Sequence, residues 1–335
     1  MSVTTTTVLP GQRPPGYRWP RTRGRTSVSR RDGRTGLVLV APTLLIVVVM
    51  VFLPIAWSLV VSFQRMRLIN IGSQGLLGAF TLDNFALVLG SGQFWNSLWI
   101  TLVFTIGSVI GSVLVGLVAA LALRRPFRGR TFVRASMLLP YIAPVVAMTF
   151  VWRIMLNPEF GIINAAGKAL FGWAAPVPFL TQASADVDIL GIQLTVPVAL
   201  LTVIGFQIWR FFPFAFLFLM ARMEAMPTDI EEAALVDGAT PWQTFRHVVL
   251  PQLLPVLTVL IVLRSIWTFN EFDSVFLLTG GAAGTQVAAV GVYQLLTVQQ
   301  NVGAASAQSI ILAVVLVLAI GVYAAALRKT GAKFE

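Results

Sequence analysis

Six apolar runs limit what this chain can become: Leu37 to Phe63, Phe94 to Leu123, Phe132 to Met155, Val196 to Ala221, Pro251 to Leu278 and Ala307 to Leu327. Each is long enough to cross a hydrocarbon core of about 30 Å as a helix. In lipid every backbone N–H and C=O must be satisfied within the protein, so such runs predict spanning helices. Composition agrees: 57% of the 335 residues are hydrophobic and 11% are charged, against about 25% charged in soluble domains. The expected fold class is an all-α polytopic membrane protein with six transmembrane helices. The first run is too long for a typical signal peptide and lacks a small-x-small cleavage end, so it is an uncleaved span, bent at Pro54. Pro140 and Pro144 predict a bend in the third span. Gly107, Gly111 and Gly116, with Ser108 and Ser112, let the second pack closely, which is a structural role.

The formal charge of +11 does not point to nucleic acid, because the basic residues sit at the edges of the apolar runs and are explained by orientation in an anionic membrane. Six spans put both termini on one side. If that side is the cytoplasm, eighteen of the 24 Lys and Arg lie inside: eight in 1–36, five in 124–134, two in 222–251 and three after 327. The outer segments hold only Arg65, Arg67 and Lys168, while Arg153, Arg210 and Arg264 lie within or near the ends of spans. The expected arrangement is therefore a multi-pass protein of the plasma membrane, with lipid as a partner and both termini cytoplasmic. Residues 1–36 read as a disordered arginine-rich tail, 37–328 as the spanning domain and 329–335 as a short tail. Outside, 64–93 and 157–195 are the longer loops, 279–306 is polar but uncharged, and Leu156 to Phe171 fits a short interfacial helix. Cysteine is absent, so there is no disulfide, thiol nucleophile or cysteine metal site.

One polar interruption, 222–251, has the chemistry of two short helices around a tight corner. Thr228 and Glu231 have capping-box spacing, and the helix over Asp229 to Val236 ends at Gly238, where positive φ is free. Thr240, Pro241 and Gln243 repeat the device with a cap, a proline at the first helical position and an amide at the third. The second helix runs toward Val249 and is expected to break or kink at Pro251. An ordinary surface hairpin would account for these signals equally well.

Polar groups within the spans are costly and face a cavity or a partner. The fifth span carries Arg264, Trp267, Asn270, Glu271 and Asp273. As one helix it would put Trp267, Asn270, Ser274 and Leu278 on one face, with Arg264 and Glu271 two turns apart. The fourth carries Gln207, Trp209, Arg210, Phe211, Phe212 and Phe214. Rings beside hydrogen-bonding groups suit a sugar, although an aromatic packing stripe would look the same. The sequence has neither a phosphate-binding G-x-x-x-x-G-K-[ST] nor H-E-x-x-H, and His247 is its only histidine. Active transport would have to draw energy from an ion gradient or another subunit.

Glu232-Ala233-Ala234, three residues, Gly238, nine residues, then Val248-Val249-Leu250-Pro251 resembles the EAA motif of membrane subunits of binding-protein-dependent ABC importers. The stretch FNEFDSVFLLTGG at 269–281 is similar to the carbohydrate branch, the maltose and glycerol-3-phosphate type permeases. The resemblance covers roughly 37–327 and implies the type I permease fold in its compact six-span form. It implies that Glu231, Glu232, Ala233, Ala234, Asp237, Gly238 and Pro251 belong to an ATPase-coupling element. It also implies a bacterial inner (plasma) membrane, while the substrate path is read from the polar and aromatic residues of the fourth and fifth spans themselves: Gln207, Trp209, Arg210, Phe211, Arg264, Trp267, Asn270, Glu271 and Asp273. The implied partners are a second homologous permease, two ATPase subunits and an extracytoplasmic solute-binding protein. This chain would be non-catalytic and bind no cofactor, with ATP and Mg on the ATPases. The implied cargo is a sugar, a di- or oligosaccharide. The alternatives are glycerol-3-phosphate or a glycerophosphodiester, or an ion-coupled carrier using Arg264, Glu271 and Asp273, which would usually show paired repeats that are not evident in the sequence.

Overall fold

The computed structural model describes residues 30–70, 72, 80–189 and 192–329. The chain divides into two compact units at Trp57 and Ser58. Of the arginine-rich tail, 1–29 lie outside the described residues; from Arg30 the chain is helical, so the helix begins inside the segment read as tail. Residues 330–335 of the second tail also lie outside.

Helix α1 (Arg30–Val47) passes through a π-helical turn, Val48–Phe52, into α2 (Leu53–Ser62). The Leu53 amide donates to the Val48 carbonyl five residues back. This wider turn makes room for the ring of Pro54, which would otherwise press on the carbonyl four residues earlier.

In the second unit, α3 (Asp83–Leu89) and α4 (Gly92–Ala122) follow the segment after α2. Asn84, buried, donates to the carbonyls of Ser62 (2.9 Å) and Gln64 (2.7 Å) and ties α3 to that segment. Arg65, donating to the Asp83 carboxylate from Nε at 2.7 Å, holds that carboxyl below its usual range. Helices α5 (Arg130–Met137), α6 (Leu139–Ile142) and α7 (Val145–Met155) follow, then α8 (Ile162–Phe171) and an antiparallel hairpin of β1 (Ala185–Ile189) and β2 (Ile192–Val196). Next come α9 (Val198–Glu224), α10 (Thr228–Val236), α11 (Pro241–Thr244), α12 (Leu250–Phe269), α13 (Asp273–Thr279), α14 (Ala288–Thr297) and α15 (Val302–Lys329).

Among the described residues five helices are long and apolar enough to cross a membrane: Val38–Ser62, Gly92–Ala122, Val198–Glu224, Pro241–Phe269 and Val302–Ala326. The pair Arg130–Ile142 and Val145–Met155, bent by 96°, makes a sixth if counted as one. That angle exceeds the bend expected from Pro140 and Pro144. Ala143 (ψ 143°) and Pro144 (ψ 130°) are extended, so the span is broken. A proline restricts the residue before it to extended backbone, which is the physical reason.

The fifth span departs from the sequence reading twice. It does not break at Pro251, because a second π turn, Phe245–Val249, precedes that proline and keeps Pro241–Phe269 one helix. It breaks instead at Asn270, where φ is −94° and ψ 11°. The Asn270 side-chain amide donates back to the Ile266 carbonyl (2.9 Å), and the Glu271 carboxylate accepts from the Ser274 backbone amide (3.0 Å) at the start of α13. The face assigned to Trp267, Asn270, Ser274 and Leu278 therefore does not exist as one helical stripe.

Helix α4 packs along α9, and its glycines set the spacing. A Cβ at Gly116 would stand 2.7 Å from the Ala215 Cβ and 2.8 Å from the Phe216 backbone nitrogen, and one at Gly111 2.2 Å from Ile208 Cδ1. Lipid gives no hydrophobic drive for helix association, so such close approach supplies the dispersion energy. Gly116→Val is expected to force the helices apart and cost about 1–3 kcal/mol, read as a lower thermal midpoint of the detergent-solubilised protein.

The segments read as outer hold more structure than the sequence suggested. Helix α8 starts at Ile162 and not at Leu156, because the Asn157 side chain accepts from the amides of Glu159 (2.8 Å) and Phe160 (3.2 Å) and turns the chain there. Helix α14 lies within the stretch read only as polar, and the hairpin was not anticipated at all.

Candidate functional site

Two helix breaks face the middle of α9. Arg210 is the thirteenth residue of this 27-residue helix, about 20 Å from either end. In the break itself, between Asn270 and the start of α13, Glu271 Oε1 lies 3.8 Å from Arg210 Nη1. Arg210 donates to the Ser274 hydroxyl (3.3 Å), and that hydroxyl lies 2.6 Å from Glu271 Oε1 and 3.1 Å from Gln207 Oε1. From the other break, Tyr141 of α6 packs edge-on to Phe211 at 5.8 Å and on Phe214 at 5.7 Å. Non-helical backbone at membrane depth persists only where protein or a cavity surrounds it.

Arg264 is fully buried, and among the described residues none of its three guanidinium nitrogens has a hydrogen-bond partner. Its guanidinium carbon lies 3.8 Å from the centroid of the Phe211 ring, and that of Arg210 lies 4.9 Å from the same ring. Desolvated cation–π contacts of this kind are worth about 2 kcal/mol, less than burying an unpaired charge costs. With Glu271 as its acid, the cluster of Arg210, Arg264 and Glu271 holds an excess of one positive charge. It can bind hydroxyls through Gln207, Ser274 and Glu271 and offers rings for an apolar face.

The remaining path residues go elsewhere. Trp209 packs on Trp152 (5.6 Å) and Phe206 (6.1 Å), in the apolar cluster between α7 and α9. Trp267 is 44% exposed and meets Phe214 at 5.2 Å. Asn270 and Asp273 are exposed, Asp273 in the first turn of α13. Tyr141 was missed; its signal was its place between Pro140 and Pro144.

The loop between α9 and α12 forms the second region. Gly238 has φ +78°. The amides of Gly238 and Ala239 donate to the carbonyls of Leu235 (3.1 Å) and Ala234 (2.9 Å), the paired bonds of a Schellman ending. Thr240 and Gln243 form the full capping box: the Thr240 amide donates to Gln243 Oε1 (2.8 Å) and its hydroxyl accepts from the Gln243 amide (3.4 Å). The first cap differs, since Pro227 occupies the cap position of α10 and gives it no side-chain bond. Glu231 instead pairs with Arg124, each about a quarter exposed, and fastens α10 to the end of α4. Arg124 had been counted only for orientation. Glu224 similarly holds Arg130 (3.2 Å) and Arg134 (2.8 Å). Glu232, Ala233, Asp237 and Pro251 are exposed, Ala234 is half-buried, and Leu235, Val236 and Trp242 are 64%, 87% and 65% exposed. Thr240→Ala is expected to cost about 1 kcal/mol and to speed amide exchange across 240–244.

Residues 112–331 match the family described as binding-protein-dependent transport system inner membrane component. The chain belongs to this family. The permease is 33% identical over 291 residues to the inner membrane ABC transporter permease protein YcjO of Escherichia coli (strain K12), across 86% of this chain and 92% of that one. It is 31% identical to the trehalose/maltose transport system permease protein MalF of Thermococcus litoralis, across 76% and 80%. It is similar in fold to a bacterial ABC transporter involved in the import of the acidic polysaccharide alginate, with a TM-score of 0.75 at 22% identity over 90% of this chain and 96% of that one. The permease is thus a multi-pass inner-membrane component with the type I ABC importer fold, a non-catalytic subunit distinct from the ATPase.

Proposed function

We propose that this permease carries a di- or oligosaccharide past the centre of α9, with Gln207, Arg210, Phe211, Ser274 and Glu271 on the path. The supporting observation is the convergence of two broken helices on one polar, ring-bearing cluster at mid-membrane depth. Relatives named for trehalose or maltose transport support the carbohydrate class. The charge asymmetry of the loops supports a cytoplasmic 222–251. There it docks ATPase subunits that hold ATP and Mg, while a second permease completes the pore and a solute-binding protein delivers cargo from outside.

The exposed Leu235, Val236 and Trp242 beside Glu232 offer the docking face. Because Pro241–Phe269 is one 29-residue helix, about 43 Å long, movement of the loop reaches the Asn270 break directly. An ion-coupled carrier is set aside by the family.

The positive excess of Arg210 and Arg264 over Glu271 favours one second reading, a glycerophosphate-type cargo. Uptake of labelled trehalose, maltose and glycerol-3-phosphate by the reconstituted transporter separates the two. Sugar uptake that requires ATP is expected; uptake of glycerol-3-phosphate alone would overturn the sugar assignment.

A further inference from the structure

A second polar cavity lies away from the α9 cluster, at the end of the bundle where α4 begins. It is a half-open cleft of about 220 Å³ between α3, α4, α14 and α15, below the roughly 300 Å³ of the smallest drug-sized sites. Five glutamines line it: Gln93, Gln286, Gln294, Gln299 and Gln308. Gln93 Nε2 donates to Gln286 Oε1 (3.1 Å), and Gln286 Nε2 donates to Gln294 Oε1 (2.8 Å). The relay ends on Gln294, which is half-buried and lines the cavity. Gln308, 4% exposed, donates from its nitrogen to the Ala288 carbonyl (3.0 Å). Ser97, 2% exposed, lines the same cavity. Gly291 makes the space for this arrangement, since a Cβ there would lie 2.8 Å from Gln308 Nε2.

The side-chain amides that line the cavity present both donors and acceptors to whatever fills it. The wall bears no charge, which disfavours an ion, since a buried charge needs a counter-charge or coordination. Amides and hydroxyls that present both donors and acceptors match vicinal hydroxyls, each of which also donates and accepts. Leu87, Val88, Phe94 and Leu295 complete the wall with an apolar surface for the C–H face of a ring. We infer that this cavity is a binding site for one uncharged polyhydroxylated ring, a single sugar unit, separate from the α9 path. With 222–251 cytoplasmic, the site faces outside, where a sugar chain could rest one unit before entry.

The chain has no cysteine, so Gln299→Cys, on the exposed rim, can carry an environment-sensitive bimane in the assembled transporter. Titration with D-glucose is expected to give a saturable emission change, and glucuronate at least a tenfold weaker one. Gln294→Leu is expected to weaken the glucose response roughly three- to tenfold, the worth of one or two neutral hydrogen bonds. Should that variant fail to assemble, Ser97→Ala carries the same comparison. No saturable glucose response, or one that an assembled variant leaves unchanged, would overturn the site. Sugar uptake by the same preparation tests the α9 path separately.

Discussion

Glu271→Leu is expected to lose about 3–5 kcal/mol and abolish uptake, because it leaves Arg210 and Arg264 facing one ring with no counter-charge. Glu271 and Arg210 side chains are 12% and 19% exposed, so solvent screens little of the effect. Glu271→Gln keeps an acceptor for the Ser274 amide and should lose less stability while still losing uptake. Adding Arg210→Met to Glu271→Leu should recover part of the lost stability, since replacing both members of a buried pair by apolar groups is often close to neutral. Thermal midpoints of the purified transporter, with vesicle uptake, separate these cases. A Glu271→Leu protein as stable as the wild type would mean that the acid is not what balances the two arginines.

Gly238→Val is the second large effect. At φ +78° a side chain costs about 1–2 kcal/mol, and a β-branched one fits worst. There is open space around the Gly238 α-carbon, so the penalty lies in the backbone and not in a clash. The Schellman bonds and the angle between α10 and α11 should be lost together, leaving an inserted permease with no ATP-driven uptake and little co-purified ATPase. Gly238→Asn, which tolerates left-handed backbone, should retain most function. Gly238→Asp adds a negative charge at the same corner and should weaken ATPase binding more than Gly238→Asn does. Equal loss in the asparagine and valine variants would place the requirement in the absent side chain rather than in the backbone.

Local chemistry explains which of these features were legible beforehand. The Thr240 and Gln243 box and the turn at Gly238 depend on residues within a few positions of each other, and the structure holds both. Span positions followed from apolar length. The break at Asn270 was not legible, because Asn270 and Glu271 look like path-lining side chains in a helix until their bonds to Ile266 and Ser274 show that they end one helix and begin another; the break at Ala143 was legible only as a bend, from Pro140 and Pro144. The π turns before Pro54 and Pro251 were equally hidden, since a proline alone does not reveal whether a wider turn will absorb it. Pairings such as Arg124 with Glu231, 107 residues apart, need the packing of α4 on α9 first. The same packing sends Trp209 away from its sequence neighbours Arg210 and Phe211.

The most direct test of a path worked by the 222–251 loop is the modification rate of Asn270→Cys by a membrane-impermeant thiol reagent added from outside. Asn270 is exposed at the end of the helix that begins in that loop, and the chain offers no competing thiol. The rate is expected to change at least tenfold between nucleotide-free and ATP-trapped transporter, and the change should vanish in the Gly238→Val background. A rate indifferent to nucleotide, or one that still responds when Gly238 is valine, would contradict the account.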